Sequence, residues 1–261
     1  MQSFTSCKMS SNFGTRNLLV TISYVGTHFH GWQVQKNALS VQEVFQTALY
    51  KIIGQEPDIK GCSRTDTGVH ANMYCISFKC AHPITEDHLR MALNRYLPNS
   101  IAVYDVREVD KDFHARYSCK GKEYVYKVLN SSTRDPFLEN LALLYRYKID
   151  ENVLNKAAQD FVGTHDFTSF CTMDNREKGD LTRSVKYFRV ERSGNIVTFT
   201  VAADGFLYNM VRIMVGTLLV VSQGRFKDNS IKDIINAKSR KAAGPTAPAC
   251  GLYLNKVFYD I

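Results

Sequence analysis

The segment Gly61-Cys62-Ser63-Arg64-Thr65-Asp66-Thr67-Gly68-Val69-His70-Ala71 holds one carboxylate two places after an arginine, in a run of small and polar residues. A carboxylate serves as a nucleophile when it is ionised and reachable. A nearby arginine favours the ionised form, and small neighbours let a substrate approach. The same pattern also describes a turn whose Asp66 caps its own backbone and pairs with Arg64 on the surface. Glycoside hydrolysis requires two facing carboxylates, and this motif offers one. Elsewhere, Arg212 stands amid Met210, Val211, Ile213 and Met214. An arginine in so apolar a run needs a partner, because an unpaired buried charge is costly. Tyr124 follows Lys120 and Lys122 on an alternating stretch, and on pattern alone it reads as a sheet tyrosine, as Tyr126 does. His70, His114 and His165 are assigned no catalytic role.

The elements around these residues alternate between strand and helix patterns. Leu18, Val20, Ile22 and Tyr24 alternate as a strand. Ser40 opens a helix with Glu43 as its capping-box partner, and Val41, Val44, Phe45, Ala48, Leu49 and Ile52 line one face. A short strand over Ile59–Ser63 leads into the Asp66 loop, and Met73–Phe78 alternates again. Thr85 caps a second helix that stops before Pro98, and Ile101–Val109 reads as a strand. The order β-α-β-β-α-β is ferredoxin-like. The second half repeats it. Strand Tyr124–Leu129 and an apolar run over Leu141–Tyr147 precede a helix from Asp150 to Gly163. Strands Val185–Arg192 and Ile196–Ala202 flank a Ser193-Gly194-Asn195 turn. A helix over Phe206–Val221, a short one near Ile231–Ala237 and a strand over Leu252–Tyr259 follow. Thr164–Arg183 reads as a long loop, with its Asp174–Asp180 part polar enough to be mobile. The expected architecture is α+β: two ferredoxin-like halves, 16–115 and 116–261, sharing a continuous, mainly antiparallel sheet with helices on one face and a central basic cleft. Residues 1–15 read as a flexible extension.

The chain has 261 residues, 44% of them hydrophobic, and a net charge of +8. That is enough apolar material for a large core, and the positive balance favours a polyanionic partner. Seven scattered cysteines form no Cys-x-x-Cys pair, which argues against a zinc ribbon and fits a reducing compartment. No signal-peptide pattern and no apolar run long enough to span a membrane occur, so a cytoplasmic location without membrane contact is expected.

Arg64-Thr65-Asp66-Thr67-Gly68-Val69-His70-Ala71 closely resembles the active-site signature of the TruA family of tRNA pseudouridine synthases. Phe113-His114-Ala115-Arg116-Tyr117-Ser118 with Lys122-Glu123-Tyr124-Val125-Tyr126 is similar to its second motif. Phe206-Leu207-Tyr208-Asn209-Met210-Val211-Arg212 with Val215-Gly216 is similar to the third. Ala243-Gly244-Pro245-Thr246-Ala247-Pro248-Ala249 with Gly251-Leu252-Tyr253-Leu254 is similar to the last. Tyr24, Gly26, Phe29 and Gly31-Trp32-Gln33 fit the opening motif. The resemblance runs from about Leu18 to Tyr259 with the motifs in family order.

It implies isomerisation of uridine to pseudouridine at tRNA positions 38, 39 and 40 in the anticodon arm, by a homodimer. The reaction breaks the uracil N1–C1′ bond and rejoins the base through C5, so no metal, nucleotide or redox cofactor is required. The resemblance implies Asp66 as nucleophile, Arg212 as its ion-pair partner and Arg64 as a nucleotide contact. It also implies Tyr124 as the ring that stacks on the target uracil, with Leu252 or Leu254 as apolar wall. Ser63, Thr67 and Val25 depart from common family residues, which bears on substrate preference more than on activity. Extrusion of a base from a stem requires basic surface. The candidates are Lys120, Lys122, Arg176, Lys178, Arg183, Lys186, Arg225, Lys227, Arg240 and Lys241. Two alternatives stay open: a non-catalytic RNA-binding protein on the same fold, against which the intact set of Asp66, Arg64, Tyr124 and Arg212 argues, and a paralogue that modifies another RNA site.

Overall fold

The computed structural model describes residues 14–173, 179–226 and 231–261. Most of the expected extension at 1–15 and of the polar stretch at 174–180 lies outside these residues, as do Arg176, Lys178 and Lys227. The first half contains β1 (Arg16–Tyr24), α1 (Val41–Ile53), β2 (Lys60–Gly61), β3 (His70–Cys80), α2 (Glu86–Tyr96) and β4 (Ile101–Val109). Ser40 caps α1 by accepting from the Glu43 amide at 3.2 Å, and Thr85 caps α2 by accepting from the His88 amide. The second half contains β5 (Gly121–Asn130), β6 (Leu143–Tyr145), α3 (Glu151–Ala158), β7 (Gly163–Asp166), β8 (Thr182–Ser193) and β9 (Ile196–Ala203). It continues with α4 (Met210–Ser222), α5 (Ile231–Asn236) and β10 (Leu252–Phe258).

The strands form one sheet in the order β4-β1-β3-β10-β5-β9-β8-β7, with β2 added to β3 and β6 to β5. The pairings are antiparallel except β3–β10 and β5–β6. The mixed α+β class with a large, mainly antiparallel sheet is therefore the observed one. Its seam is the short parallel contact in which Tyr253 lies opposite His70 and Leu254 opposite Ala71. The core follows from strand alternation. Leu18, Val20 and Ile22 of β1 face Phe78, Ile76 and Tyr74 of β3 in register, and all six are buried.

Several boundaries differ from the sequence expectation. α4 starts at Met210 rather than Phe206, because Asn209 adopts a left-handed backbone with φ 61° that a helix cannot continue through. Phe206–Asn209 is thereby freed to face the cleft. The α3 helix stops at Ala158 and passes through a 3-10 turn, Gln159–Phe161, before Gly163. Of the apolar run at 141–147 only Leu143–Tyr145 pairs as a strand. Part of the expected 164–183 loop is β7, paired with β8 through Gly163 opposite Val185.

Candidate active site

The Asp66 loop connects β2 to β3 and is held by the segment that follows β1. The Tyr24 hydroxyl meets Thr65 Oγ1 at 2.8 Å, the Trp32 amide donates to the Thr65 carbonyl at 3.2 Å, and the Gly68 amide donates to the Phe29 carbonyl at 3.2 Å. Within the loop the Val69 amide donates to the Asp66 carbonyl at 3.1 Å. Two glycines permit this approach. A Cβ on Gly26 would lie 1.9 Å from the Val69 carbonyl oxygen, and one on Gly31 would lie 2.3 Å from that of Thr65, with Gly31 also at φ +81°. His70 closes the loop: its Nδ1 accepts from the Gly26 amide at 2.9 Å, and its Nε2 donates to the Cys250 carbonyl at 3.1 Å. Burial holds this imidazole below its ordinary pKa, so it stays neutral and can accept and donate at once. The opening motif is thus the scaffold of the Asp66 loop.

Arg212 arrives from the other half, in the first turn of α4. A cation there opposes the helix dipole. Three acceptors offset the cost: Nε donates to the Ala247 carbonyl at 2.7 Å, Nη1 donates to Asn209 Oδ1 at 2.8 Å, and Nη1 lies 3.5 Å from Asp66 Oδ2. The Ala247 amide returns a bond to the Arg212 carbonyl at 3.0 Å. The last motif packs directly on this helix, because Gly216 leaves room for the Pro245 carbonyl, which a Cβ would approach to 1.8 Å. The Asp66 and Arg212 side chains are only 28% and 18% exposed, so their attraction is less screened than that of a surface pair.

Tyr124 lies on β5 with its ring edge-on to Phe206 at 5.0 Å and its hydroxyl 3.3 Å from Ser63 Oγ. Burial pushes the phenol well above its ordinary pKa, against the Ser63 hydrogen bond, so it stays protonated at neutral pH. Asp66, Arg64, Tyr124, Arg212 and Leu252 all line one cavity of about 240 Å³, together with Ser63, Phe206, Asn209, Arg116, Lys122 and Arg183. A second lobe of about 460 Å³ continues past Arg64, Asp66 and Arg212 to His30, Gln33, Gln35 and Tyr208. Arg64 is exposed and borders both lobes.

The structure therefore brings Asp66, Arg64, Tyr124, Arg212 and Leu252 together. Leu254 is a different case. It pairs with Tyr124 across the β10–β5 ladder, is fully buried and is not among the residues that line the cavity. Among the expected basic residues, Lys122 and Arg183 reach the cavity. Sequence reasoning missed Phe206, Asn209 and Arg116 as lining residues. Asn209 carries a signal in retrospect, since asparagine is among the few non-glycine residues that take left-handed backbone readily.

A lone carboxylate clamped by an arginine, beside a protonated tyrosine and under a ring of cations, suits work on a single nucleotide of a nucleic acid. The family model for tRNA pseudouridine synthase matches residues 20–118 and 157–260. The chain is 43% identical to tRNA pseudouridine synthase A of Thermoanaerobacter sp. (strain X514), over 94% of this chain and 100% of that protein. It is 44% identical to the enzyme of that name from Acetivibrio thermocellus over the same shares, and 43% identical to that of Bacillus pumilus over 92% and 98%. A solved H/ACA RNP bound to a substrate RNA containing 2′-deoxyuridine aligns over 87% of this chain and 59% of that one, at 16% identity and a TM-score of 0.38, too slight a likeness to carry weight. The chain belongs to the tRNA pseudouridine synthase family. It is an isomerase that converts uridine in tRNA to pseudouridine.

Proposed function

We propose that the target uridine enters the cavity between the two halves, 16–115 and 116–261, and is isomerised there with Asp66 as the nucleophile. The observation that carries this is the 3.5 Å approach of Arg212 Nη1 to Asp66 Oδ2 in a cavity also lined by Tyr124. The arginine orients the carboxylate and favours its charged form. The Asp66 carboxylate supplies an electron pair to the nucleotide as the N1–C1′ bond breaks, and N1 departs with that bond's electrons. After the base rotates, C5 bonds to C1′ and the bond to Asp66 breaks, returning its pair to the carboxylate; the proton on C5 leaves while N1 gains one, so the net change is isomerisation. Tyr124, protonated and packed edge-on to Phe206, supplies the stacking face for the base. Leu252 supplies apolar wall and Arg64 a phosphate or base contact at the border of the two lobes.

The substrate in this reading is the anticodon arm, at tRNA positions 38, 39 and 40, and the enzyme is a cytoplasmic homodimer. The ordered motifs support the first and the dimer; the free thiols of the six described cysteines support a reducing compartment. The decisive experiment is Asp66→Asn in the purified enzyme. Isomerisation is abolished while tRNA affinity stays within a few-fold, because phosphate contacts dominate affinity. Turnover near the normal rate would refute the nucleophile. Mapping pseudouridine in tRNA from cells lacking the protein tests the position: loss outside 38–40 would point to a different site on RNA.

A further inference from the structure

The loop Phe113–Ser118 leaves β4 and returns to β5, and it is anchored at several points. Phe113 packs edge-on to Tyr259 at 5.1 Å, and its carbonyl accepts from Asn17 Nδ2 at 2.9 Å. Ala115 is fully buried; its amide donates to Ser77 Oγ at 2.9 Å and its carbonyl accepts from the Tyr259 hydroxyl. The turn then closes on itself. The His114 amide donates to Ser118 Oγ at 3.1 Å and the Ser118 amide to the His114 carbonyl at 2.9 Å. His114 Nδ1 accepts from the amides of Arg116 at 3.1 Å and Tyr117 at 3.3 Å.

What this rigid turn holds out is an aromatic ring. Tyr117 is 78% exposed, yet it is not loose: the His114 ring lies 4.4 Å from it at 34°, and the Arg116 guanidinium carbon is 5.9 Å from its centroid. Burial first, then the Lys60 cation, hold the His114 imidazole toward its neutral form, which leaves Nδ1 free to accept the two amides that fix its ring against Tyr117. Arg116, next in the chain, lines the cavity that holds Asp66. An ordered aromatic face beside a cation, adjoining a nucleotide cavity, is what an unpaired base stacks on. Fixing the ring in advance removes much of the ordering cost of binding.

We propose that Tyr117, backed by His114 and flanked by Arg116, is a stacking platform for an unpaired base of the tRNA neighbouring the uridine that enters the cavity. This rests on the cavity being the site of isomerisation. The test places 2-aminopurine in turn at each unpaired position of the anticodon loop and follows its fluorescence on binding the intact enzyme. At one position the change seen with wild type is retained in Tyr117→Phe and Tyr117→Trp and lost in Tyr117→Ala. The Tyr117→Ala variant also binds tRNA about tenfold more weakly, with the loss larger in KM than in kcat. Identical fluorescence at every position for Tyr117→Ala and wild type overturns the platform, whatever happens to affinity. So does an affinity within twofold of wild type. Failure of the underlying reading shows separately, as continued turnover by Asp66→Asn, and leaves the binding result to be judged alone.

Discussion

Ser63 Oγ lies 3.3 Å from the Tyr124 hydroxyl, linking the residue just before the Arg64-Thr65-Asp66 motif to the ring on the cavity wall. The link crosses between halves and exists only because a serine stands at 63. If the phenol moves a proton during the reaction, Ser63 sets its direction. Ser63→Ala should then slow kcat by roughly threefold to tenfold, the scale of one neutral hydrogen bond. The same change in a Tyr124→Phe background should have no further effect. Equal losses in both backgrounds would show that Ser63 acts independently of Tyr124.

Tyr124 itself separates into ring and hydroxyl. Tyr124→Phe should keep tRNA affinity and lower kcat, whereas Tyr124→Leu, which loses the ring, should lower both. Wild-type kinetics in the two variants would reduce Tyr124 to a sheet tyrosine.

Arg212→Ala removes the ion pair with Asp66 and the hydrogen bonds that Arg212 donates to Asn209 Oδ1 and the Ala247 carbonyl. Activity should fall by about a hundredfold or more, and stability by about 1–3 kcal/mol. Arg212→Lys keeps the charge but cannot reach three acceptors from one planar fork, so it should recover only part of the rate. Steady-state rates and denaturation midpoints measure the two effects; full activity in the alanine variant would remove Arg212 from the mechanism.

Gly31→Ala tests the scaffold rather than the chemistry. The new methyl would sit 2.3 Å from the Thr65 carbonyl oxygen, on backbone at φ +81°. The loop must move or the fold must strain, at a cost of about 1–3 kcal/mol. Both the denaturation midpoint and kcat should drop. An unchanged midpoint with full activity would mean the loop adapts freely.

His70 makes stability depend on pH. Its folded pKa is depressed below 6.5 by burial, so the unfolded chain takes up a proton that the folded one refuses. Its contribution is complete above pH 6.5 and is lost as pH falls toward the folded value, by no more than about 1.4 kcal/mol per pH unit for this one group. Thermal melts from pH 7.5 to pH 5.5 should show this decline, and His70→Gln should flatten it. The same slope in the variant would assign the decline to other groups.

Much of the architecture was legible because alternation and capping are local. Ser40 and Thr85 mark their helices, and the order of elements follows from the apolar pattern. The Asp66 loop was legible as a motif, but the reason for its glycine-rich companion segment was not. Gly26 and Gly31 are explained only by carbonyls of a loop some 40 residues further on. The start of α4 was misjudged because Phe206–Arg212 carries a helical apolar pattern, and one left-handed residue overrides it. Leu252 and Leu254 share a strand face, so pattern alone could not tell which borders the cavity and which is buried beside Tyr124.

The placement of β10 sets a timetable for biosynthesis. This strand lies between β3 and β5, and every other strand precedes it in sequence. As the nascent chain emerges, the segment carrying Asp66 and the segment carrying Arg212 are both complete before the strand that bridges them exists. Until Leu252–Phe258 leaves the ribosome, β3 at His70 and Ala71 and β5 from Gly121 to Tyr126 lack the neighbour that β10 provides. Competence for catalysis is therefore gained in one late step. A ribosome that stalls before that point yields a chain with the reactive residues made but not assembled.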